Sequence, residues 1–190
     1  DVLKEPPVRV EGKKLRQQLG KTIAETISDE PGLDLRSMGP APARPILRGL
    51  GGDRLLILED GGRTGDLSAT SADHAVVVEP ITAERIEVIR GPEALMFGSN
   101  TLAGVINVGR GYIPTTNWGH LHATVTYQGE TVNNGSSGGA SVSMPLGPFA
   151  LRMDGSFRSA GDMQTPTGTL DNTSLNTQNG SVGLSLVKSW

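Results

Sequence analysis

The residues of this sequence best suited to metal binding are its three histidines, His74, His120 and His122. Asp73 directly precedes His74, and a carboxylate beside a neutral imidazole offers a suitable pair of Zn²⁺ ligands. Adjacent residues of a regular strand point to opposite faces, so Asp73 and His74 could converge on one ion only where the backbone is irregular. The alternative is a hydrogen-bonded, solvated pair in a polar loop.

His120 and His122 are separated by one residue, and this spacing places both on the same face of a strand. Such a pair could chelate a metal. We favour the alternative, in which both side chains form part of a polar lining at the start of a strand.

Other classes of chemistry have no matching motif. Ser71, Asp73 and His74 lie too close in sequence to be read as a hydrolase triad, and the segment RGLGGDR (48–54) lacks the spacing of a phosphate-binding or dinucleotide-binding loop. The absence of cysteine excludes disulfides, thiolate metal sites and cysteine nucleophiles. A net charge of -3 without a run of Lys or Arg argues against a nucleic-acid partner.

The first half of the chain has the pattern of a small α/β domain. Ile23, Ala24 and Ile27 recur at helical spacing, and Pro31-Gly32 ends that helix. Strands are predicted in LLILE (55–59), RIEVIRG (85–91) and VINV (105–108), and a short helix in PEALMF (92–97). We therefore expect a mixed sheet with a few helices.

The second half alternates between apolar and polar residues. Strands are predicted in HLHATVTYQ (120–128), ASVSMPL (140–146), FALRMDGSFRS (149–159) and SVGLSLVKSW (181–190), with a turn at NNGSSGG (133–139) and a polar segment over 162–179. Segments of about 10 alternating residues are typical of transmembrane β-strands. A half-buried sheet of an ordinary globular domain gives the same alternation. No run of about 18 apolar residues is present, which excludes a transmembrane helix.

Three segments between residues 19 and 108 carry a family resemblance: LGKTIAETISDEPGLDL, PILRGLGGDRLLILEDGGRTGD and ITAERIEVIRGPEALMFGSNTLAGVINV. In this fixed order they resemble the plug domain of TonB-dependent outer-membrane receptors. The matching features are Pro31-Gly32, Leu47-Arg48-Gly49, Asp60-Gly61, Ile86 to Pro92, Phe97-Gly98-Ser99 and Gly104 to Asn107. The resemblance implies an α+β plug domain with a small mixed sheet over 1–114, followed over 119–190 by antiparallel β-strands of an incomplete transmembrane β-barrel.

The resemblance also sets expectations for location and partners. It implies a transporter rather than an enzyme, in the outer membrane of a Gram-negative-type cell, with the plug inside the barrel lumen. Its partners would be the TonB complex of the inner membrane and, through the barrel, outer-membrane lipid. A 22-stranded barrel needs at least ~220 strand residues, so we expect a fragment, or the ordered portion, of a longer protein. No TonB box is recognisable.

One segment indicates which cargo is transported. The stretch GGRTGDLSATSADHAVVVEP (61–80) resembles the outer-membrane zinc receptors of this family, and FRSAGDM (157–163) resembles their early barrel segment around Arg158 and Gly161-Asp162. The resemblance implies that Asp73 and His74 are zinc ligands and that the barrel supplies the others. Zinc is then the transported ligand and no cofactor is required. The alternatives are a ferric siderophore, haem or cobalamin as cargo, or a non-transporting interaction or scaffold protein that reuses a plug-like domain.

Glu87 and Arg90 match plug charges that in this family pair with oppositely charged barrel residues. A buried charge needs a partner, which gives such pairing a physical reason. The alternative is a surface ion pair of little energetic weight.

Overall fold

The structure is a computed structural model that describes residues 7–37, 39, 43–65, 76, 78–115, 119–131 and 133–187. The chain separates into two compact units, Asp1–Arg110 and Gly111–Trp190. The domains predicted from the sequence, 1–114 and 119–190, place this division a few residues later. Each unit is described by itself below.

The described residues of the first unit form seven strands and two short α-helices. In chain order they are β1 (Val8–Glu11), α1 (Gly12–Gln18), α2 (Ile23–Ile27), β2 (Leu33–Ser37), β3 (Ala43–Leu47), β4 (Leu55–Glu59), β5 (Gly62–Arg63), β6 (Arg85–Ile89) and β7 (Gly104–Gly109). Five strands form one sheet in the order β1-β6-β7-β4-β5. Only β4 and β7 pair in parallel within it, which confirms the predicted mixed sheet.

The core of this unit lies between the sheet and its helices. Alternate residues of β1, β6 and β7 point to one face, where they meet Ile23 and Ile27 of α2. Thr22 begins α2 by accepting a hydrogen bond from Glu25 N at 3.2 Å, and Glu25 Oε2 accepts one from Lys21 N at 2.8 Å. The predicted helix in PEALMF is a 3-10 helix, Gly91–Phe97. None of the helices in the described residues is long and apolar enough to cross a membrane.

A tight hairpin follows β3 within the Pro/Gly-rich stretch. Leu47 N donates to Leu50 O at 2.8 Å and Leu50 N donates to Leu47 O at 3.0 Å. The two residues between them, Arg48 and Gly49, have φ of 52° and 80°. Positive φ at both central positions is the geometry of a type I′ turn, which explains the Arg-Gly pair at this point of the sequence.

Six strands are present in the described part of the second unit. They are β8 (His122–Glu130), β9 (Gly135–Leu146), β10 (Phe149–Ala160), β11 (Met163–Thr165), β12 (Gly168–Leu170) and β13 (Leu175–Leu186). The four long strands form an antiparallel sheet in the order β13-β10-β9-β8, and β11 and β12 pair separately as a short hairpin. Among the residues that the structure describes, the main sheet ends at β8 and β13 and is not closed into a barrel.

The two faces of this sheet have opposite character. One face carries exposed apolar side chains, Val125, Tyr127, Phe149, Met153, Phe157, Val182, Leu184 and Leu186. On the other face of β10, Arg152, Asp154, Ser156 and Arg158 are buried. A globular protein in water buries its apolar face instead. Apolar residues outward and polar residues inward are the pattern of transmembrane barrel strands, which decides between the two alternatives left open by the alternation.

Two expectations about this unit were wrong in detail. The turn predicted over 133–139 is confined to its beginning, because β9 already starts at Gly135. A Cβ on Gly138 would lie 2.5 Å from Phe157 Cε1, so glycine is needed there for packing within a strand rather than for a turn. The strand predicted over 181–190 likewise begins earlier, at Leu175, so that Asn176 and Asn179 of the polar segment pair with Ser159 and Ser156 of β10.

Candidate functional site

The predicted zinc pair, Asp73 and His74, lies outside the described residues, and its role as a metal site stays a prediction. Within the part of the chain that the structure describes, no three or more His, Asp or Glu side chains are grouped so that they could hold a metal ion.

The other two histidines are exposed, but only His122 belongs to a strand. It is the first residue of β8, whereas His120 lies in the bend before it. The spacing predicted that both histidines lie on one face of a regular strand, and this is wrong because His120 lies outside the strand. His122 is the Cα partner of Ser143, which in turn pairs with Arg152. His122 therefore lies on the same polar face as Arg152, two strands away, and a positive charge on that face favours a lining role over cation chelation.

Glu87 is compensated within the first unit. Its carboxylate lies 3.0 Å from Arg9 Nη2 and 3.7 Å from Arg85 Nε, and it accepts a hydrogen bond from Asn107 Nδ2 at 3.3 Å. Asn107 Oδ1 accepts a further bond from Gly61 N at 3.0 Å. The side chains of Arg9, Glu87 and Asn107 form a polar row across three adjacent strands, β1, β6 and β7. Pairing of Glu87 with the barrel, which stays a prediction, would add to this existing network.

Arg90 follows β6 and ties it to the turn between α2 and β2. Its Nη2 donates to Pro31 O at 2.6 Å, which gives the Pro31-Gly32 motif a fixed contact. Its Nε is buried and has no hydrogen-bond partner. The expected pairing of Arg90 with a barrel carboxylate stays a prediction.

Sequence reasoning missed Arg110, the most buried charged residue among those described in the first unit, whose side chain is 4% exposed. Its Nη1 lies 3.0 Å from Glu59 Oε1, and its backbone N donates to Asp60 Oδ1 at 3.0 Å. Paired in this way, a buried arginine is tolerated. The signal for this contact was the Asp60-Gly61 motif, which positions a carboxylate at the end of β4.

The polar face of the barrel strands is also internally connected. Arg152 Nη1 donates to Ser143 Oγ at 3.3 Å, and Ser181 Oγ donates to Asp154 Oδ1 at 2.7 Å. Arg158, singled out by the sequence resemblance, is buried on the same face of β10. Charged and hydroxyl groups on one face, with apolar groups on the other, suit a sheet that separates a polar interior from lipid.

Asp162, which belongs with Arg158 to the barrel segment singled out by resemblance, has a structural role. Its Oδ1 accepts hydrogen bonds from Thr173 N at 2.9 Å and Ser174 N at 2.8 Å. Gly161 N donates to Asn133 O at 2.9 Å. These contacts fix the base of the loop that carries β11 and β12.

Comparison with known proteins identifies the family of the first unit. Residues 4–105 match the family model "TonB-dependent Receptor Plug Domain". The chain is 33% identical over 137 residues to "Vitamin B12 transporter BtuB" of Photobacterium profundum, covering 71% of this chain and 22% of that protein. It is 37% identical over 102 residues to "Hemin receptor" of Yersinia pestis, covering 51% and 14%.

Further comparisons agree on location and fold. The chain is 33% identical over 100 residues to "Iron-regulated outer membrane virulence protein" of Vibrio cholerae, covering 50% of this chain and 15% of that protein. The solved structure of "Copper transporter OprC" superposes with a TM-score of 0.75 at 23% identity, covering 96% of this chain and 28% of that one. The chain thus spans about a fifth of the first curated relative. It belongs to the TonB-dependent receptors of the outer membrane, of which it contains the plug domain and a run of barrel strands.

Proposed function

We propose that this chain is the gate and part of the barrel wall of an importer that takes up zinc across the outer membrane. The observation that carries the proposal is the order of the two units: a plug domain precedes strands with an exposed apolar face and a buried polar face. Transport makes and breaks no bond. The TonB complex of the inner membrane supplies the energy, outer-membrane lipid contacts the apolar face, and no cofactor is required.

Zinc as cargo is supported by the sequence around Asp73 and His74. Carboxylate and imidazole are suitable Zn²⁺ ligands, and a pair contributed by the plug leaves coordination positions for barrel residues. His122 is not expected to take part, since it lies on a face that also carries Arg152.

A second candidate cargo is a metal chelate such as haem, cobalamin or a ferric siderophore. It is favoured by the relatives named for vitamin B12 and hemin, which are 33% and 37% identical to this chain. A chelate would be recognised by its organic surface, so it would not require Asp73 or His74 as metal ligands.

Uptake of radioactive zinc by zinc-starved cells that produce the full-length receptor tests the proposal. We expect uptake to require TonB and to be lost in the double variant Asp73→Asn/His74→Gln. The matched control is His120→Gln/His122→Gln, which removes two imidazoles and should retain uptake.

Three results would contradict the zinc assignment. Uptake of hemin or cyanocobalamin without zinc would favour a chelate. Loss of zinc uptake only in the His120/His122 variant would move the metal site to β8. Absence of any TonB-dependent uptake would favour the non-transporting interaction or scaffold protein.

A further inference from the structure

The segment 112–114, which we call the strap, is held against the polar face of β13. It belongs to the second unit and lies in the chain between β7 and β8. One contact is at Gly183 and the other at Ser185. Gly183 is the Cα partner of Arg152, and Ser185 lies two residues further on, so both are on the face of β13 that carries polar side chains.

Gly183 leaves room for the strap. A Cβ at this position would overlap the carbonyl oxygen of Tyr112, and it would lie 3.5 Å from Ile113 Cα. Among the residues of β13, all of which the structure describes, Gly183 alone is buried. Its φ is not in the left-handed region. The close approach of a second backbone, rather than the conformation of β13 itself, therefore requires glycine here.

Ser185 adds a hydrogen bond to the strap. Its Oγ donates to Pro114 O at 2.5 Å. Tyr112 thus lies at Gly183 and Pro114 at Ser185, so the strap follows β13 in the same direction. Two contacts, one at each end of the strap, fix its direction as well as its position.

The strap is stiff and is held through its backbone. Pro114 has a fixed φ and disfavours helical backbone at Ile113, the residue before it. The Ile113 side chain is exposed, and the groups that meet β13 are the carbonyls of Tyr112 and Pro114. β13 is itself paired with β10 along its whole length, from Leu175 to Leu186. The strap therefore joins a firmly paired strand of the barrel wall.

We propose that the strap is a fixed anchor, which keeps the chain that leaves the plug on the barrel wall while the plug rearranges to admit cargo. Rearrangement of the plug is then confined to the residues that precede Gly111. Gly183 and Ser185 are the positioning residues of this anchor. The anchor rests on the proposed import function, but it does not depend on which cargo is transported.

The mobility of a nitroxide at residue 113 tests the anchor in the full-length receptor without cargo. The 190 residues of this chain contain no cysteine, so Ile113→Cys introduces one labelling site into them. We expect the spectrum of an immobilised label. Gly183→Ala should displace the strap and shorten the rotational correlation time of the label about threefold or more. Ser185→Ala removes only the hydrogen bond and should shorten it by less.

Gly180→Ala is the matched control for Gly183→Ala. It makes the same change on the same strand, but the nearest heavy atom to the added Cβ, Asp154 O, is 3.6 Å away. The spectrum of the label at residue 113 should therefore stay as in the parent protein. A covalent lock then tests whether the strap stays in place during transport. In Pro114→Cys/Ser185→Cys, a disulfide between the strap and β13 should leave zinc uptake within about twofold of the reduced form, because locking an element that does not move leaves the conformational steps unchanged.

The anchor is overturned if the label is as mobile in the parent protein as in Gly183→Ala, or if the two cysteines do not join on oxidation. Loss of uptake on oxidation, with recovery on reduction, would show that the strap moves during transport and would equally contradict it. A receptor that takes up no zinc in either form would contradict the zinc assignment alone. The same comparison of locked and reduced receptor is then made with hemin, so the two proposals can fail separately.

Discussion

Arg9 Nη2 lies 3.0 Å from Glu87 Oε1, and the two residues are Cα partners in the register that joins β1 to β6. Arg9 is 55% exposed and Glu87 17% exposed, so this ion pair lies at the boundary between solvent and the sheet. β1 is the edge strand of the five-stranded sheet. Contacts of Glu87 therefore contribute directly to holding the first strand of the plug in place.

We predict that Glu87→Gln loosens β1. The loss of the ion pair should lower the local free energy of opening by about 1 kcal/mol. Hydrogen exchange in the peptide that covers residues 8–11 of the full-length receptor should become roughly fivefold faster. Glu11→Gln is the control, because Glu11 is exposed on the same strand and forms no ion pair with a described residue. If both variants accelerated exchange equally, the loss of one negative charge near β1, and not the loss of the Arg9 contact, would explain the effect.

A charge on the apolar face of the barrel strands should block membrane assembly. Val182 is 74% exposed and is the Cα partner of Met153 on that face. Val182→Arg is expected to destabilise the inserted receptor by about 2–4 kcal/mol. The amount of heat-modifiable, folded receptor in outer-membrane fractions measures this loss.

Thr124→Arg provides the comparison, since Thr124 lies on the polar face of β8. It should assemble as the wild type does. If Thr124→Arg were the more damaging variant, the assignment of the two faces would have to be reversed.

Gly138→Ala should disturb packing on the apolar face. The added Cβ would lie 2.5 Å from Phe157 Cε1, so the ring or the strand has to move, at an expected penalty of about 1–3 kcal/mol. The melting temperature of the purified receptor should fall, and Phe157→Leu should restore part of the loss. Gly155→Ala should be mild, because its nearest heavy atom, Asn179 O, is 3.6 Å away. Similar losses in both glycine variants would argue against the Phe157 contact as the cause.

Asp162→Ala should release the loop between β10 and β13. It removes an acceptor that holds Thr173 N and Ser174 N, and bonds to a carboxylate contribute about 1.5–3 kcal/mol each. Limited proteolysis within 163–174 should become roughly tenfold faster or more. Asp171→Ala, an exposed change in the same loop, should leave the cleavage rate unaltered. Unchanged cleavage in Asp162→Ala would show that the loop is held by other contacts.

Much of the fold could be predicted because its signals are local. Ile23, Ala24 and Ile27 sit one turn apart and form α2, and the Leu55–Glu59 run forms β4. Strand β9 was harder: its Gly and Ser residues have the composition of a turn, and the ring of Phe157 accounts for Gly138 alone. Arg110 was missed because the Asp60-Gly61 motif marks only the end of β4, and the partner Glu59 is distant from Arg110 in sequence.

The sequence by itself determined the order of elements, the family resemblance and the alternation of the barrel strands. Alternation only shows that apolar and polar residues lie on opposite faces of a strand, however, and it does not indicate which of the two faces is buried. Only the tertiary structure decided that the Val182 side is open and the Arg152 side covered. Burial depends on what packs against a residue, and that information is spread across distant parts of the chain.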